Sequence, residues 1–265
     1  PGLLWTHNDS GDGPFVYCLN RLAGKCGVWG VSGALASDWE DMAAGPGPNP
    51  GQPYLYVGDI GNNAKRRLEL TIYRFVEPAV GPADALSTRE APRMTEAAEA
   101  IRVSYPDGPH NAEALMVHPV TGDIYIATKD GVGVSRVYKL PAPASLASTN
   151  VLTLIAELTV GTPEDLRGSR IVTGGDIAAG GRRAILSTYG RGYEFSLWWR
   201  PHLPFDEIWR QPMLEVTLPP RLQGESIAYR LDTKALLTTS ERLPAPLHEM
   251  VQDPLILPPR PPRGG

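Results

Sequence analysis

The 265-residue chain carries 28 Gly and 27 Pro alongside 42% hydrophobic residues, which suits short strands and tight turns around one sizeable core and argues against a helical protein. With 25 Lys and Arg against 29 Asp and Glu, the formal net charge is -4, so no global basic field exists to attract a nucleic-acid backbone. No run approaches the roughly 18 consecutive apolar residues of a membrane helix, so neither a nucleic-acid nor a membrane partner is expected.

In chain order, residues 3–9 run from the apolar Leu3, Leu4 and Trp5 into the polar His7, Asn8 and Asp9, and residues 15–19 and 27–31 follow as two more strands. A second unit opens at 39–43 with Glu40 near its start and continues through 55–59, 71–75 and 100–104. The third reads 112–117, carrying Glu113, then 124–130, 136–140 and 152–156. The fourth reads 175–178, carrying Asp176, then 184–189, 193–197 and 213–217. The fifth reads 224–229, carrying Glu225, then 235–240. Between the first two strands of these units lie Thr121-Gly122-Asp123, Gly180-Gly181 and Asp232-Thr233-Lys234, the turn chemistry of antiparallel hairpins.

Four antiparallel strands per unit, repeated radially, is the plan of an all-β propeller, here of about five blades. The first unit lacks a visible inner strand and the last lacks a clear fourth, as expected of a ring closed by joining its two ends. Residues 1–253 form the single propeller domain, and the Pro-rich 254–265 reads as a C-terminal strap or tail. The start at Pro1 suggests a processed or trimmed terminus. Cys18 and Cys26 sit on two strands that a hairpin brings together, so a disulfide and a secreted or periplasmic location are expected, with two separate buried thiols as the alternative.

Inner strands of a propeller line its axis, so Glu40, Glu113, Asp176 and Glu225 are expected to converge near one face. Like charges so placed repel and raise one another's pKa unless a cation sits among them, and calcium suits such an oxygen-rich ring. The alternative is that the carboxylates bond neighbouring backbone amides or channel water. The loops of the same face supply His7, Asp59, Lys129 and Arg191, cationic and titratable groups that could engage an anionic ester beside a Lewis-acidic metal. Asn8 to Gly13 resembles the opening of an EF-hand loop, but Leu19 stands where its bidentate Glu belongs, so a hairpin turn explains it better. Trp198 and Trp199 are expected to pack between blades, or else to offer a flat surface to a glycan.

The run Asn111-Ala112-Glu113-Ala114-Leu115 leading to Asp123-Ile124-Tyr125-Ile126-Ala127 resembles the calcium-binding propellers of the phytase and esterase-like phytase group, and also the five-bladed calcium-activated nucleotidases. The resemblance implies a central calcium held by Glu40, Glu113, Asp176 and Glu225, with the fifth ring ligand unassigned. It extends along nearly the whole chain on short motifs. Two functions follow as expectations: a calcium-dependent hydrolase of a phosphate or related ester, or a non-enzymatic propeller in which a central calcium braces the blades and the face binds a partner or glycan.

Overall fold

The computed structural model describes residues 2–241 and 245–251; the 254–265 strap or tail lies outside the described residues. Five small sheets are arranged as a five-bladed β-propeller. Blade 1 holds β1 (Leu3–Thr6), β2 (Phe15–Asn20) and β3 (Lys25–Gly30). Blade 2 holds β4 (Trp39–Pro46), β5 (Pro53–Asp59) and β6 (Leu70–Val76). The short β7 (Arg93–Met94) then crosses back to pair in parallel with β3, and β8 (Glu99–Ser104) completes blade 2. Blade 3 holds β9 (Ala112–Val117), β10 (Ile124–Thr128), β11 (Val134–Leu140) and, after the short β12 (Asn150–Val151) that pairs in parallel with β8, β13 (Thr153–Thr159). Blade 4 is β14 (Val172–Ile177), β15 (Arg183–Thr188), β16 (Arg191–Ser196) and β17 (Leu214–Thr217); blade 5 is β18 (Gly224–Tyr229), β19 (Ala235–Ser240) and β20 (His248–Val251).

The alternation of side chains along each second strand explains why these sequences make blades. In β5, Tyr54 and Tyr56 enter the core shared with blade 3, whereas Leu55 and Val57 enter the core shared with blade 1. β10 sends Ile124 and Ile126 one way and Tyr125 and Ala127 the other, and β15 does the same with Leu186 and Ile185. A period of two thus feeds two interblade cores from one strand, and a continuous apolar run is what that demands. Gly122 and Gly181 turn the hairpins of blades 3 and 4 with φ of 74° and 61°, on the face opposite Lys129 and Arg191.

Inner strands β4, β9, β14 and β18 pack side by side around the axis. Each is an edge strand, so its axial backbone N–H groups have no ladder partner and require another acceptor. Asp41 provides one. Its Oδ2 accepts from Leu115 N at 2.9 Å in β9 and from Gly175 N at 3.3 Å in β14, and its Oδ1 accepts from Met42 N at 2.9 Å. Asp176 does the same between β14 and β18, accepting from Tyr229 N at 2.7 Å and from Ile177 N at 2.8 Å. These two carboxylates tie the four inner strands together across the channel.

Cys18 and Cys26 are free thiols. The strand register sets Gly27 across from Cys18 and Lys25 across from Leu19, leaving Cys26 on a bulge and not directly opposite its counterpart. Burial, and then the neighbouring Cys26, push the Cys18 thiol up to about 12. In the native protein without reductant, a maleimide should label Cys26 and spare Cys18, and both should react after unfolding; mass spectrometry showing neither labelled in denaturant would mean that the pair is oxidised.

Asp41→Ala should lower the unfolding free energy by about 3 kcal/mol, since it orphans three backbone donors of a carboxylate at once. Urea denaturation showing a loss under about 1 kcal/mol would contradict this bracing role.

Candidate metal centre at the axial mouth

A β-bulge interrupts each inner strand at an equivalent point. Trp39 faces Asp59 and Asp41 faces Gly58, so Glu40 is the extra residue; by the same reading Glu113, Thr173 and Glu225 are the extra residues of β9, β14 and β18. Bulges re-aim the side chain they carry. Here they place three carboxylates and one hydroxyl at one mouth of the channel. Asp176 lies three residues beyond the bulge, inside the channel, and Thr173 holds the ring position of blade 4, donating to Gly224 O at 2.7 Å. The ring read from the sequence therefore includes Glu40, Glu113 and Glu225 at the mouth, with Asp176 on a deeper level.

Glu113 is the most enclosed of these, 4% exposed. Its Oε1 lies 3.0 Å from Lys129 Nζ and accepts from Asn111 Nδ2 at 3.1 Å. Burial raises its pKa in spite of that lysine. Burial also acts to lower the Lys129 pKa, but the Glu113 carboxylate overrides it, so the ammonium is held above its ordinary range. Tyr189 OH accepts from Lys129 Nζ at 3.1 Å and steadies it from blade 4. Beside Lys129, Asp130 anchors the loop through Thr128 Oγ1 at 2.7 Å, Arg136 at 2.6 Å and His110 Nδ1 at 2.7 Å.

Glu40 and Glu225 have less compensation. Burial, followed by the Glu113 charge, pushes Glu40 up to about 10. Burial pushes Glu225 up to about 7, against a hydrogen bond of 2.9 Å from Gln223 to its Oε1. Its Oε2 is buried without a partner among the described residues. Asp38, two residues before Glu40, is also raised by burial and then by Asp9.

Asp9, Asp38 and Glu40 each bring one carboxylate oxygen to within 4.8 Å of the others. Two oxygens on one calcium ion, each at about 2.3–2.6 Å, stand at most about 5.2 Å apart, so this spacing fits a shared ion. All donors are hard oxygens, as calcium prefers. Gly61 faces them, and a Cβ there would fall on the carboxylates of Glu40 and Asp38, so only glycine leaves this space open. The residues present fit a divalent cation set toward blades 1 and 2, with Lys129 occupying the blade 3 side of the mouth.

The four polar residues expected beside the metal are distributed unevenly. Lys129 is at the mouth. His7 is adjacent, its ring edge-on to Trp39 at 5.9 Å and its Nδ1 2.8 Å from Asn8 O, and burial lowers its pKa. Asp59 stands one layer behind: its oxygens accept from Asp38 N at 3.0 Å, Ser37 N at 3.2 Å and Arg67 at 2.7 Å, which fixes the turn that carries Asp38. Arg191 opens the third strand of its blade and pairs with Asp165 at 2.8 Å and Glu215 at 2.7 Å, away from the mouth. Asp38, Thr173 and Gly61 were not selected by sequence reasoning. The Asp-Trp-Glu-Asp run at 38–41 is the one signal that could have pointed to Asp38.

No protein-family model matches the sequence, and no curated protein does. Among solved structures, the chain is similar in shape to one described as "Structure of Dos1 propeller", with a TM-score of 0.40 and 9% identity over 93% of this chain. The chain spans 66% of that chain's length, just under two-thirds.

The raised carboxylates set a direction for stability against pH. Glu225 and Asp176, each pushed up to about 7 by burial, favour the folded state while protonated, and that contribution is lost as pH rises from the unfolded value near 4 through about 7. In the presence of a chelator, the melting temperature should therefore fall between pH 5 and pH 8, and Glu225→Gln should flatten part of that slope. A melting temperature that rises over the same interval would contradict the buried placement of these groups.

Proposed function

We propose that the chain is a calcium-binding propeller, secreted or periplasmic, whose mouth receives a small anionic ester, and that its activity is calcium-dependent hydrolysis of a phosphate or related ester. The observation that supports this most is the excess of carboxylate at one mouth: Asp9, Asp38, Glu40, Glu113 and Glu225 gather beside Lys129, while Arg67 is committed to Asp59. Asp9 is exposed, but Glu113 is buried and Asp38, Glu40 and Glu225 are half-buried, and carboxylates so placed call for a cation of higher charge than one lysine.

Asp9, Asp38 and Glu40 would hold the ion, and Asp59 with Arg67 would keep Asp38 in place. A bound calcium supplies Lewis acidity toward an ester oxygen. Lys129, fixed by Glu113 and Tyr189 on the blade 3 side of the mouth, would bind an anionic oxygen of the ester. Glu225, with one oxygen unpartnered among the described residues and its pKa pushed up to about 7, is the group best suited to take a proton from water and return it to the leaving oxygen.

A second reading, a bracing calcium without turnover and a face that binds a glycan or partner, is favoured by a different observation. Asp59 and Arg191 are both engaged in ion pairs, and His7 is half-buried with Nδ1 near a backbone carbonyl. Both readings require calcium, and they separate on turnover.

Calcium at a hundredfold excess over Kd should raise the melting temperature by about 5 °C, and Glu40→Gln should weaken binding by about tenfold or more in calorimetry. Hydrolysis of a chromogenic phosphate or carboxylic ester that disappears with chelator and with Glu225→Gln supports the hydrolase; binding without turnover supports the bracing ion. Identical melting with and without calcium would sink both.

A further inference from the structure

On the face opposite the mouth, the hairpin turns of blades 3 and 4 and the segment between β16 and β17 line a cleft of about 400 Å³, a volume within the range of small-molecule sites. Arg182 holds that segment in place, donating to Arg200 O at 2.9 Å and to Leu203 O at 3.1 Å. Phe205 gives the cleft an aromatic surface and is braced edge-on by His118 at 4.7 Å and Tyr125 at 5.2 Å. On another wall, Lys139 Nζ lies 3.0 Å from Asp123 and 2.9 Å from Asp206, and Tyr125 OH donates to Asp206 Oδ1 at 2.6 Å. The closing segment also carries Trp198 and Trp199, which are 55% and 40% exposed and so are not buried between blades.

The charges of the cleft cancel. Asp123 and Asp206 stand against Lys139 and Arg182, and His118 adds none: its Nδ1 accepts from Thr121 N at 3.1 Å, and burial lowers its pKa. Such a cleft has no net field for an ion, yet it keeps hydrogen-bonding capacity of both kinds. Asp206 Oδ2 accepts only from Lys139 among the described residues, on a side chain 38% exposed, and Arg182 has further N–H groups beyond the two given to carbonyls. Acceptors and donors around an aromatic surface match a pyranose, whose edge hydroxyls both donate and accept and whose C–H face packs on a ring. We propose that this cleft binds one pyranose ring of a neutral glycan, with its apolar face on Phe205 and its hydroxyls on Asp123, Asp206 and Arg182. The site lies on the other face from the cation and does not depend on hydrolysis at the mouth.

The experiment titrates the full chain with methyl α-glucopyranoside, methyl α-mannopyranoside and methyl β-galactopyranoside, with glycine and inorganic phosphate as charged comparisons, and reads binding by saturation-transfer NMR. At least one pyranoside should bind saturably, equally with and without calcium, and more tightly than either charged probe. Asp206→Asn should weaken it by about tenfold, the effect of losing a hydrogen bond to a charged acceptor. Gly180 lines the cleft, and a Cβ there meets nothing within 4 Å among the described residues. Gly180→Trp should therefore fill the space and abolish binding at an unchanged melting temperature. Failure of all three pyranosides to bind, binding left unchanged by either substitution, or tighter binding of glycine or phosphate would overturn the proposal. So would binding that chelator abolishes in a chain that stays folded, since the sugar would then sit at the mouth.

Discussion

Carboxylates that converge inside a narrow, poorly hydrated mouth cannot all be ionised without a compensating cation, and the rest of the site follows from that repulsion. At a separation of about 4 Å and an effective dielectric near 20, two such charges repel by about 4 kcal/mol. Glu40, Glu113 and Glu225 are brought to this condition by bulges at equivalent points of three inner strands. One partial answer is built into the chain, the Lys129 ammonium 3.0 Å from Glu113. It serves the blade 3 side and leaves the Asp9, Asp38 and Glu40 oxygens facing one another on the other side.

The channel therefore has two levels with opposite chemistry. Deeper in, Asp41 and Asp176 are also buried carboxylates, but their oxygens are engaged with backbone N–H groups of neighbouring inner strands. They hold the strands and have little left to offer a metal. At the mouth, Glu225 Oε2 has no partner among the described residues and Gly61 keeps space beside Glu40 and Asp38. Two carboxylates of similar burial thus differ in role because one set meets donors and the other meets acceptors like itself. The same contrast explains why Asp59, bonded to Asp38 N, Ser37 N and Arg67, serves to hold Asp38 in position.

Much of the fold was legible because the propeller writes itself as repetition. The apolar runs at Leu55 to Val57, Ile124 to Ala127 and Ala184 to Leu186 are continuous because each second strand feeds two cores, and the tight turns at Gly122 and Gly181 mark where inner and second strands meet. The site was legible only in part. Glu40, Glu113 and Glu225 could be aligned by their place two residues before Met42, Leu115 and Ile227, but the blade 4 segment Val-Thr-Gly-Gly-Asp-Ile has its only acid three residues late. A bulge at Thr173 is invisible in sequence, so the acid was assigned to the wrong level. Arg191 could not be placed either, since its pairing with Asp165 and Glu215 depends on contacts from distant segments. The parallel strands β7 and β12 are two residues each, too short for any periodicity to register.

The central claim is that the mouth holds a divalent cation through Asp9, Asp38 and Glu40. A crystal of the protein grown at pH 7 with millimolar calcium, measured for anomalous scattering, tests it most directly. The account predicts one peak off the axis on the blade 1 and 2 side, within about 2.3–2.6 Å of oxygens from those three residues and facing Gly61. A mouth containing only water under those conditions, or a peak bound by Asp41 and Asp176 in the channel, would contradict it.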